Sequence, residues 1–181
     1  MTESTRRKRM FEDLSGYDPE IGRWLWAMED TRRRTKETLH GLDDRALNWI
    51  APHADNSIGA LLYHIAAIEL DWLYADVLEG AAFPPELEAL FPYDVRDDQG
   101  KLASTAGISL AEHLYRLDMV RRNFLDVFRG MTLVEFRRAR HLPDYDVTPE
   151  WVIHHLMQHE AEHRGQLGEL RLIAEQMLKL G

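Results

Sequence analysis

The amino-acid sequence predicts an all-α protein, a four-helix bundle with a long central crossover connection. Four segments place apolar residues at intervals of three and four, which is the spacing of a helix with one buried face. No strand-rich region, internal repeat or low-complexity tract interrupts these segments. One long connection, residues 81–107, separates the second segment from the third, as in helix bundles that contain a crossover.

Capping residues, prolines and glycines delimit the four predicted helices, which span residues 19–42, 58–80, 110–128 and 149–178. Ser57, Ser109 and Thr148 each offer a side-chain oxygen to the free N–H groups at a helix start. Gly41 and Gly80 end the first two helices. The long connection contains adjacent prolines and a PELEAL segment, which is predicted to form one or two helical turns. A connection of this length is typical of a lid, a binding loop or a subunit contact.

Length and charge narrow the class of protein. At 181 residues we expect a single domain, residues 19–181, preceded by a basic tail, residues 1–18. The 22 Lys and Arg residues against 31 Asp and Glu residues leave a net charge of -9, which argues against a general nucleic-acid binder. The basic block Arg6–Arg9 is interpreted as a solvated tail, with an anion-binding arm as the alternative.

Composition also bears on location and chemistry. No run approaches the roughly 18–20 apolar residues of a membrane span, so we expect a soluble, cytoplasmic protein that does not cross a membrane. The chain has no cysteine. Disulfides, thiolate metal ligands and a sulfur nucleophile from the chain itself are therefore excluded, and any metal site must use nitrogen and oxygen ligands.

Two histidines interrupt the apolar face of the last predicted helix. The buried series consists of Val152, Leu156, His159, His163, Leu167, Leu170, Ala174 and Met177. A buried imidazole without a partner costs roughly 1–3 kcal/mol, so His159 and His163, one turn apart, require hydrogen-bond partners or a metal ion. His64 faces inward on the second helix and is the predicted third ligand. Histidines held in the core by hydrogen bonds remain the alternative.

Three neutral imidazoles suit a divalent transition metal and leave a position free for water or substrate, which is typical of catalytic rather than structural sites. These ligands do not discriminate among zinc, nickel, iron, cobalt and manganese. The sequence therefore predicts a metal centre of open coordination whose metal is not determined by its ligands.

Neighbouring residues on the last helix supply weaker candidates. His155 precedes His159 by one turn and is a candidate catalytic or substrate-contacting residue, with a helix-surface position equally consistent. His154 is predicted to be solvated. Gln166 is placed to hydrogen-bond a ligand imidazole, as residues behind metal ligands commonly do.

Glu160 admits two interpretations. It forms an i, i+4 pair with Arg164, which favours a surface ion pair worth a few tenths of a kcal/mol. It is also a weak catalytic candidate, because residues 159–163 match the H-E-x-x-H pattern of zinc proteases, in which the glutamate is the general base. The sequence offers no convincing strand for a peptide substrate to pair with, so a protease is not favoured.

Two segments together resemble a known family. NSIGALLYHIAAIELDWL, residues 56–73, and VTPEWVIHHLMQHEAEHRGQL, residues 147–167, resemble the DinB family of bacterial metal-binding four-helix bundles. The overall pattern of resemblance extends over most of the chain from about Pro19. The resemblance places the metal ligands on His64, His159 and His163, in agreement with the periodicity. It further implies a divalent ion, often nickel or zinc, and a homodimer.

Some members of that family are thiol-dependent transferases, and this implies a low-molecular-weight thiol such as bacillithiol or mycothiol as co-substrate. Arg137, Arg138 and Arg140 are candidates for holding an anionic thiol cofactor, and a solvated basic turn is the alternative. The leading hypothesis is a metal-dependent enzyme, similar to a thiol S-transferase, that activates a small thiol or water for attack on a small electrophile. The alternatives are a non-catalytic metal-binding protein or scaffold of the stress response, and a structural helical dimer with core histidines.

Overall fold

The protein is described from a computed structural model, which covers residues 10–52 and 54–179. The basic block Arg6–Arg9 lies outside these residues. The helices are α1 Pro19–Leu39, α2 Asp44–Asn48, α3 Ile58–Asp71, α4 Pro85–Glu88, α5 Leu110–Phe128, α6 Leu133–Arg137 and α7 Pro149–Lys179. One further turn, Trp72–Val77, continues α3 with π-helical hydrogen bonding. Strands β1, Arg140–His141, and β2, Asp146–Val147, form a small antiparallel hairpin.

The four long helices α1, α3, α5 and α7 confirm the predicted all-α fold. The predicted serine caps are present. The Ser57 hydroxyl accepts from the backbone N–H of Ala60. The Ser109 hydroxyl accepts from the backbone N–H of Glu112, and the Glu112 carboxylate accepts from the backbone N–H of Ser109. The first helix ends at Leu39, three residues before the predicted end, and Gly41 follows at φ +71°, a conformation that favours glycine.

Short elements lie where the sequence indicated only connections. Helices α2 and α6 have five residues each, and each strand of the hairpin has two. Elements this short contain too few residues for a periodic apolar pattern. Their capping residues were the available signal, since Asp43 caps α2 and Thr132 caps α6.

The long helices pack around one apolar core. Helix α7 lies mainly against α1 and α3, and α3 lies mainly against α5. Most residues of α3 are buried. The segment Ile58–Val77 is long and apolar enough to qualify as a membrane span by length and composition, which corrects the statement that no run of the sequence approaches that length. In the structure 78% of that window is buried inside the protein. The segment is apolar because it is the central helix of the core.

The crossover between α3 and α5 is attached to both helices. Oη of Tyr63 donates to the carbonyl of Tyr93 at 2.7 Å and accepts from the Tyr93 N–H at 3.1 Å. The guanidinium of Arg116 lies 4.9 Å from the centre of the Tyr63 ring, and its Nε donates to the carbonyl of Leu90 at 2.8 Å. These contacts hold residues 90–93 against the helix that carries His64.

The outer end of α7 departs from the predicted buried series. Ala174 is fully buried, but the side chain of Met177 is 51% exposed. In the last turn it is Leu178, one position later, that packs against the core.

Candidate metal centre

The structure brings together the three histidines that the sequence singled out. Nε2 of His159 lies 3.1 Å from Nε2 of His64 and 3.0 Å from Nε2 of His163. One ring nitrogen from each residue falls within 4.8 Å of the others. Helix α3 supplies His64 and helix α7 supplies the other two, one turn apart on the face that meets α3.

Hydrogen bonds between the three rings cannot account for the close approach of their Nε2 atoms. A ring nitrogen of imidazole carries either one hydrogen or one lone pair in the ring plane, so Nε2 of His159 can form one good hydrogen bond but has two nitrogens within 3.1 Å. A cation between the rings would accept a lone pair from all three.

The spacing suits such a cation closely. Metal–nitrogen bonds of about 2.0–2.1 Å in tetrahedral geometry place ligand nitrogens about 3.3 Å apart. The observed separations of 3.0 and 3.1 Å need to open by only a few tenths of an ångström. The residues present therefore fit a divalent transition metal ion bound by three imidazoles.

Burial keeps two of the rings neutral. Desolvation, followed by the proximity of His163 and Arg96, lowers the pKa of His64 to about 4. Desolvation, followed by His163 and His64, lowers the pKa of His159 to about 3. Both rings are therefore uncharged at neutral pH, and their lone pairs are available to a metal ion.

Gln166 behaves as the sequence indicated. Its Oε1 lies 2.9 Å from Nδ1 of His163, on the side of the ring opposite Nε2. Because a carbonyl oxygen only accepts, this contact places the proton of a neutral His163 on Nδ1 and leaves the lone pair of Nε2 directed at the other rings.

A family model described as the DinB superfamily matches residues 27–167. The chain belongs to the DinB superfamily. The match confirms the family that the two sequence segments resemble, and it includes all three histidines and Gln166. A search of curated proteins found no match.

The other two histidines of α7 lie beside the cluster of this DinB protein without joining it. His155 stacks on Trp151 with ring centres 5.0 Å apart and an interplanar angle of 5°, and it also contacts Trp72 at 4.4 Å. Its ring centre is 6.2 Å from that of His159. His154 was expected to be solvated but is partly buried, with its ring edge directed at Trp24 of α1.

Glu160 is not on the surface, which corrects its assignment to an ion pair with Arg164. Its side chain is 2% exposed, and its Oε1 accepts from Nε of Arg32 at 2.8 Å. Its Oε2 lies 3.3 Å from the guanidinium of Arg121. Burial alone would raise the pKa of Glu160, but the two guanidinium groups outweigh it and hold that pKa below its ordinary value. A carboxylate held in this way is poorly suited to act as a general base, as the protease pattern would require.

Arg32 and Glu69 complete a buried charge network that sequence reasoning missed. Arg32 is 3% exposed and donates to Glu69 at 2.6 Å as well as to Glu160. Arg121 donates to both oxygens of Glu69, at 2.7 and 2.9 Å. The available signal was Glu69 itself, a charged residue in the middle of the most apolar helix.

The basic turn after α6 is already paired within the protein. Arg137 contacts Glu20, and Arg138 donates to Glu79 at 2.7 Å. The interpretation as a solvated turn is wrong for Arg140, which is 3% exposed and donates to backbone carbonyls, including those of residues 135 and 138. These contacts supply no support for a cofactor-binding role of the three arginines.

Proposed function

We propose that this protein is a metal-dependent enzyme in which His64, His159 and His163 hold a divalent transition metal ion and a small thiol attacks a small electrophile. Water is the alternative nucleophile. The observation that carries the proposal is the position of Nε2 of His159, within 3.1 Å of the corresponding atoms of both other histidines. Three imidazoles leave coordination positions free, which a purely structural site would fill with a fourth protein ligand.

A bound divalent ion lowers the pKa of a coordinated thiol or water, so that a nucleophile forms at neutral pH. The chain contributes by holding the ligands in place. Gln166 orients the His163 ring through Nδ1, and the burial of His64 and His159 keeps their rings neutral. The chain has no cysteine, so a thiol nucleophile must come from a separate molecule.

Nickel and zinc are the metals we propose for this site, because the resemblance to the DinB family implies them and three imidazoles accommodate either. The protein should be purified without a histidine tag and its metal content determined by elemental analysis. We expect close to one transition metal ion per chain in the wild type and loss of stoichiometric metal in His159→Ala. A metal content near zero in the wild type would favour core histidines instead.

Catalysis is tested on the metal-loaded protein. It should be incubated with monochlorobimane and a panel of thiols that includes bacillithiol, mycothiol and glutathione, and conjugation followed by fluorescence. We expect one thiol to give a rate well above that of His64→Ala, while His154→Ala retains the wild-type rate. Full metal occupancy without any rate above His64→Ala would leave a non-catalytic metal-binding protein of the stress response as the better account.

The oligomeric state and the cellular location of the protein are also proposed here. We propose a cytoplasmic homodimer that binds small molecules, not nucleic acid or membranes. Light scattering coupled to size-exclusion chromatography gives the molar mass in solution, and twice the mass of the 21.1 kDa chain is the expected result.

A further inference from the structure

A second cavity lies at the start of α7, beyond His155 as seen from the histidine cluster. Its volume is about 510 Å³, which is within the range of small-molecule sites. The lining residues are Trp72, Ala139, Tyr145, Asp146, Val147, Thr148 and Trp151. Trp151 precedes His159 by eight residues, about 12 Å along the helix axis, so this cavity is separate from the histidine cluster.

Three aromatic rings form one wall of this cavity. The ring centre of Trp72 lies 5.5 Å from that of Trp151 and 6.3 Å from that of Tyr145. His155 covers one face of Trp151, and the Trp151 side chain is nevertheless 49% exposed. Tyr145 is 48% exposed. About half of the surface of Trp151 and of Tyr145 is therefore accessible to a ligand, although both rings pack against Trp72.

A buried carboxylate stands behind the aromatic wall. Asp76 is 3% exposed, and its Oδ1 accepts a hydrogen bond of 2.7 Å from Oη of Tyr145. Within residues 10–52 and 54–179 it forms no salt bridge with a basic group, whereas Glu69 and Glu160 are both bound by arginines. Burial raises the pKa of Asp76, and the nearby Asp71 acts in the same direction.

Among the described residues, the basic groups near Asp76 are either neutral or bound elsewhere. His155 acts to lower the pKa of Asp76, but desolvation lowers the pKa of His155 itself, so that its ring is uncharged at neutral pH. Arg140 is the nearest buried cation along the hairpin, but its hydrogen bonds go to backbone carbonyls and its ion pair to Glu135. His141 is bound to Asp146 at 2.7 Å. At the start of α7, Thr148 accepts from the Trp151 N–H. Asp76 is therefore a buried carboxylate that accepts a hydrogen bond from Tyr145 but is paired with no cation in the described part of the chain, and such a group is costly to the fold.

We propose that this cavity binds a small organic cation with an apolar body, such as a substituted ammonium compound. The charge is attracted by Asp76, which lies behind the lining and is joined to it by the hydrogen bond from Tyr145. The apolar groups lie against Trp72 and Trp151, where cation–π attraction adds to apolar contact. The site does not depend on the proposed metal chemistry, because its residues are not members of the histidine cluster.

The test compares two probes of the same shape. Choline carries a quaternary ammonium group, and 3,3-dimethylbutan-1-ol replaces that group with a neutral tert-butyl group. Binding to the full-length, metal-free protein should be measured by calorimetry or saturation-transfer NMR. We expect choline to bind about tenfold more tightly than the alcohol. Equal affinity for the two probes would overturn the proposal and leave only an apolar cavity.

Two variants, Trp151→Ala and Asp76→Asn, test where the cation binds, and Tyr115→Ala is the control. Trp151→Ala, at a half-exposed position, should reduce choline affinity about tenfold, whereas Tyr115→Ala, an exposed aromatic on α5, should not change it. Asp76→Asn keeps the shape of the side chain and the bond from Tyr145 but removes the charge. It should weaken choline binding without weakening that of the alcohol.

The melting temperature of Asp76→Asn provides a second readout. A carboxylate retained to bind a ligand is costly to the fold, so the asparagine variant should melt at the wild-type temperature or above it. A lower melting temperature together with unchanged choline affinity would show that Asp76 is structural and would refute the proposed site.

Discussion

Nε of Arg32 donates a hydrogen bond of 2.8 Å to the carboxylate of Glu160, 128 positions later in the chain and in the interior of the bundle. Glu69 and Arg121 extend this contact, so that α1, α3, α5 and α7 each contribute one buried charged side chain, and the partly exposed Glu29 of α1 also pairs with Arg121 at 2.7 Å. Glu160 directly follows His159. We infer that the network fixes the position of α7 against the other helices and thereby the position of His159 and His163.

Breaking this network should be costly. Removal of one partner leaves a buried charge without compensation, so Glu160→Ala is expected to lower the free energy of unfolding by about 3–5 kcal/mol. Arg164→Ala, the partner that the sequence suggested, should change it by less than about 0.5 kcal/mol. Urea denaturation measures both. Similar small effects of the two substitutions would contradict the structural role of Glu160.

Loss of a ligand histidine should abolish tight metal binding. His163→Ala removes one of three nitrogens and is expected to weaken zinc or nickel binding by more than about a hundredfold, since even outer-shell changes cost 10–100-fold. His154→Ala is the matched control on the same helix, because its ring contacts Trp24 instead of the cluster. Competition with a chromophoric chelator measures the affinities. Equal losses in the two variants would show that the ligand set is wrong.

Gln166 should strengthen metal binding without contacting the metal itself. Gln166→Leu removes the acceptor at Nδ1 of His163 and is expected to weaken metal binding about 10–100-fold. Gln166→Glu keeps an acceptor and should bind at least as tightly as the wild type. Gln158→Leu, at an exposed position two turns earlier on α7, serves as the control. A Gln166→Leu variant with wild-type affinity would argue against this role.

The metal-free protein should lose stability in mild acid. His64 and His159 have folded-state pKa values of about 4 and about 3, below the ordinary value of 6.5, so the unfolded chain binds more protons as the pH falls. The contribution of these two neutral rings to the free energy of unfolding is complete above about pH 6.5. It is lost as the pH falls toward the folded-state pKa values, by at most about 1.4 kcal/mol per pH unit for each group.

Urea unfolding of the metal-free protein at about pH 8, 7, 6 and 5 measures this dependence. His159→Gln removes one titrating group and should show a smaller loss between pH 7 and pH 5, whereas His154→Gln should retain the wild-type slope. A wild-type stability that does not change over this range would contradict the shifted pKa values.

The main features of the fold and the histidine cluster were predictable from local patterns. Helix periodicity, caps and glycines located the four long helices, because these signals depend on residues only a few positions apart. The same periodicity placed His159 and His163 on the buried face and His64 inward. Short elements such as α2 escaped prediction because five residues carry no periodic signal.

Other features depended on contacts between distant parts of the chain. Periodicity predicts that a side chain faces inward, but it does not predict which residue that side chain contacts. The sequence therefore suggested Arg164, on the same helix, as the partner of Glu160, whereas the partner in the structure is Arg32 of α1. Asp76 is a comparable case, because its hydrogen bond from Tyr145 exists only when the hairpin region lies against the end of α3.

The sequence by itself determined the helical architecture, the family and the identity of the three inward histidines. Only the tertiary structure decided that their Nε2 atoms converge, that buried charges from four helices pair with one another beside them, and that the aromatic residues line an open cavity. The physical reason is that helix formation depends on neighbours in sequence, whereas the distance between two side chains on different helices depends on how the whole core packs.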